Sequence, residues 1–325
     1  MRFVDFVSGQ GPAAMSLATM DAPTPKAHQV KIKVHAFGIN RADTMQRMGN
    51  YPPPPGESEV LGLEASGEVI DIGSDVTRWK VGDKVFGLMP GGGYAEQALV
   101  DEGHVMPVPS GVSMEEAAGL AEVFLTAYQV LFTIGQVGQG DKALIHAGAS
   151  GVGLAGLQLC RLAGVTTATT ASSAKKLAHC ENMGASVLIN YKEQDFAEVL
   201  AEKWPEGANT VIDFVAGDYL NRNLKSLAVD GTIVYLAMLA GRYADKLDMG
   251  LMLMKRARVQ GSTLRSRSDE YKRQLIDSFT ERFLGAFSTG ELKVNLDTVY
   301  NVENVGEAHA RLEANDTQGK IIVTW

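Results

Sequence analysis

The chain has 325 residues, of which 45% are hydrophobic and 21% charged, the composition of an ordinary globular protein. This length exceeds what one hydrophobic core usually supports, so we expect two domains. No apolar run approaches the ~20 residues that a membrane span needs. The net charge of -8 disfavours nucleic acid and anionic lipid as partners.

The beginning of the chain and its cysteines predict a cytoplasmic protein. The opening stretch, MRFVDFVSGQG, lacks the apolar core and cleavage site of a secretory signal. Cys160 and Cys180 are the only 2 cysteines, too few for a disulfide framework in a chain of this length. Both features fit a reducing compartment.

The first 120 or so residues have the pattern of β-strands separated by glycine and proline turns. In QVKIKVHA, Val30, Ile32 and Val34 alternate with polar residues, which places them on one face of a half-buried strand. EASGEVIDIG, DKVFGLM and YAEQALV predict further strands, and PGGGYAE predicts a hairpin turn. This region is therefore predicted to be a compact, mainly antiparallel β domain.

From about Glu122 the pattern changes to alternating strands and helices. KALIHA predicts a buried strand, GVGLAGLQLCRLAG predicts a helix, and further strand and helix segments follow in turn. Such alternation is typical of a parallel sheet with helices on both faces. The predicted fold class is α/β, with a doubly wound parallel sheet over residues 122–262 and a mainly antiparallel β domain over residues 1–121 and 263–325.

A glycine-rich segment, LIHAGASGVGLAG, lies between the first strand and the first helix of the α/β domain. Gly148 follows the strand and Gly153 lies in the helix, so we prefer the register Gly148-x-Ser150-x-x-Gly153, in which the first glycine makes the turn. Backbone groups of Ser150, Gly151 and Val152 are predicted to contact a pyrophosphate, which the positive end of the helix dipole attracts. The segment predicts a dinucleotide site, although glycine-rich turns also occur without ligands.

The second strand of this domain ends without the carboxylate that NAD-binding proteins usually place there. No Asp or Glu occurs from Lys142 to Cys180, and the strand is followed by TASSAKK. Hydroxyl and ammonium groups favour a 2′-phosphate, so Ser172 and Lys176 are its predicted ligands and NADPH is the predicted cofactor. Solvated surface lysines are the alternative interpretation.

Four more residues lie where later strands are predicted to end. Tyr191 follows the third strand and is predicted to reach the nucleotide, although it could instead fill the core. Phe214, Met238 and Leu239 lie at the carboxyl ends of the next strands, where doubly wound sheets bind ligands. The alternative for these three is that they are buried strand residues.

Six motifs resemble those of the zinc-independent quinone oxidoreductase branch of the medium-chain dehydrogenase/reductase superfamily. They are NRADTMQRMGNYPPPPG, LGLEASG, PGGGYAE, LIHAGASGVG, TASSAKK and LRSRSDEYK, in this order along the chain, and the resemblance extends over essentially its whole length. The resemblance implies a Rossmann NADPH-binding domain joined to a GroES-like catalytic and substrate domain. It also implies that Asn40 and Tyr51 lie at the acceptor site and that Thr126 lies near the nicotinamide. The alternatives are that Asn40 is a turn residue and that Tyr51 is an exposed loop aromatic. For Thr126, the alternative is a hydroxyl that bonds to its own helix backbone.

The ligands of zinc-dependent members of the superfamily are missing from this sequence. Asn40 and Gly62-Leu63-Glu64 stand at the corresponding positions, and the 6 histidines show no ligand spacing. Without a Lewis acid, the acceptor must itself be electrophilic, such as a quinone or an alkene conjugated to a carbonyl. Asn40 and Tyr51 are the predicted catalytic residues, since their N–H and O–H groups can stabilise an oxyanion. Asn40 is also a predicted cofactor-binding residue, because its amide can donate a hydrogen bond to the nicotinamide ribose.

These observations predict an NADPH-dependent quinone reductase without a metal. An NADPH-dependent enone or enoyl reductase shares the fold and cofactor, and an NADPH-bound structural or RNA-binding protein is the non-catalytic alternative. The acidic composition disfavours the RNA interpretation.

The resemblance to the superfamily also implies association. RVQGSTL is predicted to be an edge strand through which the chain forms a homodimer or homotetramer. Arg265 and Arg267 could border the cleft, but solvation at the surface is the preferred interpretation.

Overall fold

The computed structural model describes residues 1–315 and 317–325, which form two compact units. The first unit comprises Met1–Leu125 and Leu264–Trp325, and the second comprises Thr126–Thr263. Residues 122–125, which the sequence pattern placed in the α/β domain, therefore belong to the first unit. No helix of the described residues has the length and hydropathy of a membrane span.

The strands of both units are numbered in chain order. They are β1 (Arg2–Asp5), β2 (Ser16–Thr19), β3 (Gln29–Ile39), β4 (Glu64–Ile72), β5 (Lys84–Leu88), β6 (Gln97–Asp101), β7 (Val105–Pro107), β8 (Lys142–Ile145), β9 (Thr166–Ala171), β10 (Val187–Asn190), β11 (Ala208–Asp213), β12 (Leu227–Tyr235), β13 (Arg258–Gly261), β14 (Leu296–Asn301) and β15 (Lys320–Thr324).

The α-helices are numbered in the same way. They are α1 (Arg41–Arg47), α2 (Met114–Ala117), α3 (Ala121–Tyr128), α4 (Gly151–Leu162), α5 (Ala174–Asn182), α6 (Phe196–Lys203), α7 (Tyr219–Ser226), α8 (Met249–Lys255), α9 (Asp269–Phe279), α10 (Gly285–Ser288) and α11 (Val305–Glu313). Two π-helical segments, Gln129–Ile134 and Thr280–Leu284, continue α3 and α9.

A mainly antiparallel sheet is the centre of the first unit. Its strands follow the order β14-β15-β3-β4-β5-β7, with β6 paired to β3, and only the β14–β15 pair is parallel among those described. The alternation noted in the sequence is present in β3, where Val30, Ile32 and Val34 are buried. Phe37 and Tyr94 stack in its core with ring centroids 4.2 Å apart. The predicted antiparallel β domain is confirmed.

The second unit contains a six-stranded sheet in which every described pair is parallel. Its order is β10-β9-β8-β11-β12-β13, which is 3-2-1-4-5-6 when the strands are counted within the unit. This is the order of a Rossmann fold, in which ligands bind beyond the carboxyl ends of the strands where the order reverses. Here the reversal lies between β8 and β11. The predicted doubly wound sheet is confirmed.

Helices cover both faces of this parallel sheet. Ile145 of β8 packs in one apolar cluster with Leu157 of α4, whereas its neighbour Leu144 packs in a second cluster with Phe196 of α6. Successive residues of a strand face opposite sides of a sheet, so the two clusters lie on opposite faces. This explains why consecutive residues of β8, β9 and β11 are buried, including three threonines of β9.

The hairpin predicted at PGGGYAE was wrong. The segment joins β5 to β6, but β5 pairs with β4 and β7 whereas β6 pairs with β3. Its glycines instead allow a close approach of two backbones. A Cβ atom on Gly62 would lie 2.6 Å from the Cα of Gly93. Gly62 also has a φ of +108°, which favours glycine.

Candidate functional site

The glycine loop of the second unit begins where β8 ends. Gly148 N–H donates to the Thr170 carbonyl at 3.0 Å, which places the loop against the end of β9. A Cβ on Gly148 would lie 1.8 Å from Thr169 Oγ1, and one on Gly153 would lie 2.6 Å from the Gly148 carbonyl oxygen. Only glycine therefore fits at these two positions. The register chosen from the sequence agrees with this packing.

The helix that follows the loop presents its first N–H groups at this edge of the sheet. Gly151 and Val152 are its first two residues, and the first four N–H groups of a helix have no acceptor within the helix. Ser150 caps it, because its Oγ accepts the Gly153 N–H at 3.2 Å. The remaining N–H groups and the helix dipole suit an anion such as a pyrophosphate.

A buried polar network lies directly below the loop. His146 Nδ1 is 3.0 Å from Thr170 Oγ1, and its Nε2 is 2.8 Å from Asn223 Oδ1. Asn223 donates in turn to Asp213 Oδ2 at 2.7 Å, and Asp213 also accepts the Ala216 N–H at 3.0 Å. Burial lowers the pKa of His146, so its ring is neutral. The network joins the ends of β8, β9 and β11, which fixes the strand ends that support the loop.

The residues predicted to bind the 2′-phosphate lie at the end of β9. Ser172 and Lys176 are partly buried, and Lys176 lies in the first turn of α5. Ser173 caps this helix by accepting the Lys176 N–H at 3.4 Å. Tyr191 N–H donates to the Ala171 carbonyl at 3.2 Å, which places Tyr191 beside the same strand end. Its side chain is 45% exposed, so the alternative that it fills the core was wrong.

The three residues predicted at later strand ends occupy two adjoining loops. The Leu239 N–H donates to the Phe214 carbonyl at 3.1 Å, which joins the segment after β12 to the segment after β11. Met238 and Leu239 are 58% and 65% exposed, and Phe214 is partly buried. None of the three is a buried strand residue.

Thr126 has a buried hydroxyl without a partner. The side chain is 7% exposed, and its Oγ1 makes no hydrogen bond within the described residues. The alternative that this hydroxyl bonds to its own helix backbone was therefore wrong. A buried polar atom without a partner is costly, which is the feature expected where a polar ligand completes a site.

In the first unit, Asn40 belongs to a buried ionic network. Its Nδ2 donates to Glu64 Oε1 at 3.0 Å, and its Oδ1 accepts from Lys320 Nζ at 2.7 Å. Lys320 Nζ also contacts Glu64 Oε1 at 2.6 Å, and both side chains are almost completely buried. These contacts fix the orientation of the Asn40 amide. Since its NH₂ group carries two hydrogens, one remains unused by the described residues.

Space for this network is provided by Gly38. A Cβ at that position would lie 2.3 Å from Glu64 Oε1. The other Glu64 oxygen accepts the Glu122 N–H at 2.9 Å, so one carboxylate organises both Asn40 and the beginning of α3. The nearby Asp43 accepts the Asn40 N–H at 2.8 Å, and its complete burial raises its pKa to about 6.

Tyr51 lies beside a buried guanidinium. Arg265 donates to the Pro90 carbonyl at 2.7 Å and to Gln46 Oε1 at 2.8 Å, and its Cζ lies 5.3 Å from the centre of the Tyr51 ring. Arg265 is 7% exposed, so the prediction that it is solvated was wrong. Burial, together with the charge of Glu122, raises the pKa of Tyr51, which keeps the phenol protonated.

The polar groups of the first unit do not form a zinc site. Glu64 is already bonded to Lys320, Asn40 and Glu122, and no group of three or more His, Cys, Asp or Glu side chains in residues 1–315 and 317–325 could hold a metal ion. The two cysteines are buried in the second unit, where burial raises their pKa values. The donor set therefore does not fit zinc.

Two family models match the chain. One, described as a zinc-binding dehydrogenase, matches residues 151–281, and the other, described as an alcohol dehydrogenase GroES-like domain, matches residues 26–110. Synaptic vesicle membrane protein VAT-1 homolog from mouse is 31% identical, with 93% of this chain and 77% of that protein covered. The zebrafish protein of the same name is 30% identical, but the chain covers only 65% of its length.

Further similarity extends over whole proteins. Quinone oxidoreductase from Pseudomonas aeruginosa is 28% identical, with 98% of each chain covered. The solved structure of Escherichia coli quinone oxidoreductase complexed with NADPH has a TM-score of 0.88 at 27% identity, covering 100% of both chains. This chain belongs to the medium-chain dehydrogenase/reductase superfamily of NAD(P)-dependent oxidoreductases, which confirms the resemblance seen in the sequence.

Proposed function

We propose that the chain reduces quinones by hydride transfer from NADPH, without zinc. The observation that carries this proposal is the glycine loop at the reversal point of the sheet, next to a second strand that ends in hydroxyl and amino groups. A carboxylate there would repel a 2′-phosphate, whereas Ser172 and Lys176 attract one. The relatives named quinone oxidoreductase, one of them solved with NADPH, support the same assignment.

The second unit is proposed to hold the cofactor. Ser150, Gly151 and Val152 would bind the pyrophosphate through backbone groups, Gly148 and Gly153 would keep the loop open to it, and Thr126 would bind the nicotinamide amide. Tyr191, Phe214, Met238 and Leu239 would line the nucleotide. When bound, NADPH supplies a hydride ion.

The first unit is proposed to hold the acceptor. The free amide hydrogen of Asn40 and the hydroxyl of Tyr51 are hydrogen-bond donors, and Arg265 adds a fixed positive charge beside Tyr51. Donors held in place before the reaction stabilise an oxyanion without paying for reorientation. A quinone that accepts hydride develops this type of charge, so the donor set suits it.

The test is to mix the protein, NADPH and a panel of ortho- and para-quinones and to follow nicotinamide absorbance. We expect oxidation of NADPH that saturates with quinone, and a hydroquinone product identified by chromatography. Constant absorbance with every quinone would refute the proposal. Tight NADPH binding without turnover of any quinone or enone would instead favour the non-catalytic alternative, and RNA binding would be examined next.

We also propose that two or more copies associate through β13. This strand is the last of the parallel sheet, pairs with β12 among the described strands, and has four exposed residues. An unpaired strand edge favours pairing with a second copy. Val259→Lys adds a charge to this exposed edge strand, so sedimentation velocity should show a smaller species than for the wild type. An unchanged sedimentation coefficient would exclude association through this edge.

The two buried free cysteines are compatible with the proposed cytoplasmic location, which cell fractionation tests.

A further inference from the structure

Four buried side chains of the second unit form a continuous line of hydrogen bonds to which the proposed function assigns no role. They belong to His146 after β8, Thr170 in β9, Asp213 in β11 and Asn223 in α7, and each residue is 1% exposed or less. We call these four side chains the buried line. A set of polar groups in a core is costly unless each donor meets an acceptor. The direction of each hydrogen bond therefore matters.

The buried line has one direction, which the carboxylate at its end determines. Asp213 Oδ2 accepts from Asn223 Nδ2 at 2.7 Å, so the carbonyl oxygen of the Asn223 amide faces His146. That oxygen only accepts, so His146 Nε2, at 2.8 Å, carries the ring hydrogen. In the neutral ring, Nδ1 then accepts from the Thr170 hydroxyl at 3.0 Å. Each donor along the buried line therefore meets an acceptor.

Each end of the buried line binds the backbone N–H of an alanine with a positive φ. The Ala147 N–H donates to Thr170 Oγ1 at 3.3 Å, and Ala147 has a φ of +50°. The Ala216 N–H donates to Asp213 Oδ1 at 3.0 Å, and Ala216 has a φ of +59°. The left-handed conformation is unfavourable for a residue with a Cβ atom and persists where the surrounding structure enforces it. The two ends of the buried line provide such a constraint.

The two alanines lie in loops that the proposed function assigns to the cofactor. Ala147 directly precedes Gly148 in the glycine loop after β8. Ala216 lies in the loop after β11, where the Val215 carbonyl accepts the Ala240 N–H of the loop after β12 at 2.8 Å. β8 and β11 are the neighbouring strands at which the order of the sheet reverses. The buried line therefore joins the loops on the two sides of the crevice in which a Rossmann sheet binds its ligand.

Resting on the proposed function, we propose that the buried line positions the loops after β8 and β11 for NADPH. Its four members are positioning residues, which act through Ala147 and Ala216. They hold both loops in the left-handed conformation before the cofactor arrives, so less conformational entropy is lost when NADPH binds. The ring of His146 is itself fixed, because it packs edge-on against Phe196 and Tyr219 with centroids 4.6 Å and 5.0 Å away.

The first measurement is the position of the ring hydrogen of His146, which needs neither cofactor nor acceptor. Hydrogen–nitrogen correlation NMR spectra of the histidine rings show which nitrogen carries the hydrogen. The signal of His146 is the one that disappears in His146→Gln. We expect the hydrogen on Nε2 and a lone pair on Nδ1. A hydrogen on Nδ1 would reverse the buried line and refute the proposal.

The second measurement compares a broken line with a restored one. In Asp213→Asn, one oxygen becomes an NH₂ group, so the side chain can accept from Ala216 or from Asn223 but not from both. The dissociation constant of NADPH, measured by isothermal titration calorimetry, should rise about 10-fold. In the double variant Asp213→Asn with Asn223→Asp, the new amide donates to the new carboxylate, which also accepts from His146. The dissociation constant should return to within about 3-fold of the wild-type value.

Two threonines of β9 distinguish positioning of the loops from a purely structural role. Thr170→Val removes the hydroxyl that accepts the Ala147 N–H, so the dissociation constant of NADPH should rise about 10-fold. Thr167 is the matched control, because it is buried near the beginning of the same strand and its hydroxyl donates to the Gly184 carbonyl at 3.3 Å. Thr167→Val should lower the urea midpoint of unfolding by a similar amount, but it should change NADPH binding by less than about 3-fold.

The outcomes separate this proposal from the proposed function. If the wild type binds NADPH but the double variant binds it as weakly as Asp213→Asn, or if the two valine variants change binding equally, the positioning role is refuted and the proposed function stands. If Asp213→Asn does not fold, the comparison of Thr170→Val with Thr167→Val decides the question. If the wild type binds no NADPH, both proposals fall. A hydrogen on Nε2 together with recovery of binding in the double variant supports the positioning role.

Discussion

The two units differ in how far apart in the sequence their site residues lie. In the second unit, Gly148 to Gly153 form one continuous segment, made of the loop after β8 and the first residues of α4. In the first unit, Asn40 and Lys320 are 280 positions apart, and they meet only because β15 pairs with β3. A site made of a local motif can be predicted from a sequence, whereas one assembled by strand pairing is visible only in the fold.

The largest effect should come from breaking the ionic network of the first unit. Lys320→Met leaves the fully buried Glu64 carboxylate without its cation, which costs about 3–5 kcal/mol. Urea unfolding measures this loss. Lys31→Met is the matched control, because Lys31 pairs with the exposed Asp71 at 3.1 Å and such pairs contribute less than about 1 kcal/mol.

The double variant Lys320→Met with Glu64→Gln separates charge from packing. If the uncompensated charge causes the loss, neutralising Glu64 should recover a substantial part of it. No recovery would mean that the alkyl chain of Lys320, rather than its charge, stabilises the unit.

This comparison also shows what the sequence could and could not predict. The alternation in β3 and the glycines of the loop are local features. They predicted the two folds correctly, together with the position of the glycine loop between β8 and α4. Arg265 carried no local signal, since an arginine in a polar stretch is usually solvated. Its burial depends on contacts with distant segments, such as the hydrogen bond to Gln46.

The glycine-rich segment from Gly148 to Gly156 should tolerate substitution at one glycine and not at another. Gly148→Ala places a Cβ 1.8 Å from Thr169 Oγ1, so the loop must move, and we expect NADPH binding to weaken by about 100-fold. In Gly156→Ala, the new Cβ would meet two flexible methyl groups at 3.2 Å and 3.3 Å, and binding should change by less than about 3-fold. Isothermal titration calorimetry measures both. Similar losses in the two variants would refute a specific role for Gly148.

A smaller effect is expected where the 2′-phosphate is proposed to bind. Lys176→Glu replaces an attractive charge by a repulsive one, which should weaken NADPH binding by about 10-fold to 100-fold and NADH binding by less than about 3-fold. The control is Lys175→Glu, because Lys175 is the exposed neighbour in the same helical turn. Equal losses for the two nucleotides, or equal effects at both lysines, would contradict the assignment.

The smallest effect concerns the cap of α4. Ser150→Ala removes the hydroxyl that accepts the Gly153 N–H, which should lower the free energy of unfolding by about 1 kcal/mol, and Ser173→Ala should do the same at α5. We then consider the dissociation constant of NADPH, because only the cap of α4 lies at the proposed pyrophosphate site. If the pyrophosphate is bound by backbone groups, as proposed, Ser150→Ala leaves these donors in place and the dissociation constant should rise by only about 3-fold. A rise above about 10-fold would show that the Ser150 hydroxyl itself contacts the phosphate. Phosphate binding would then depend on a side chain, as the network around Asn40 does.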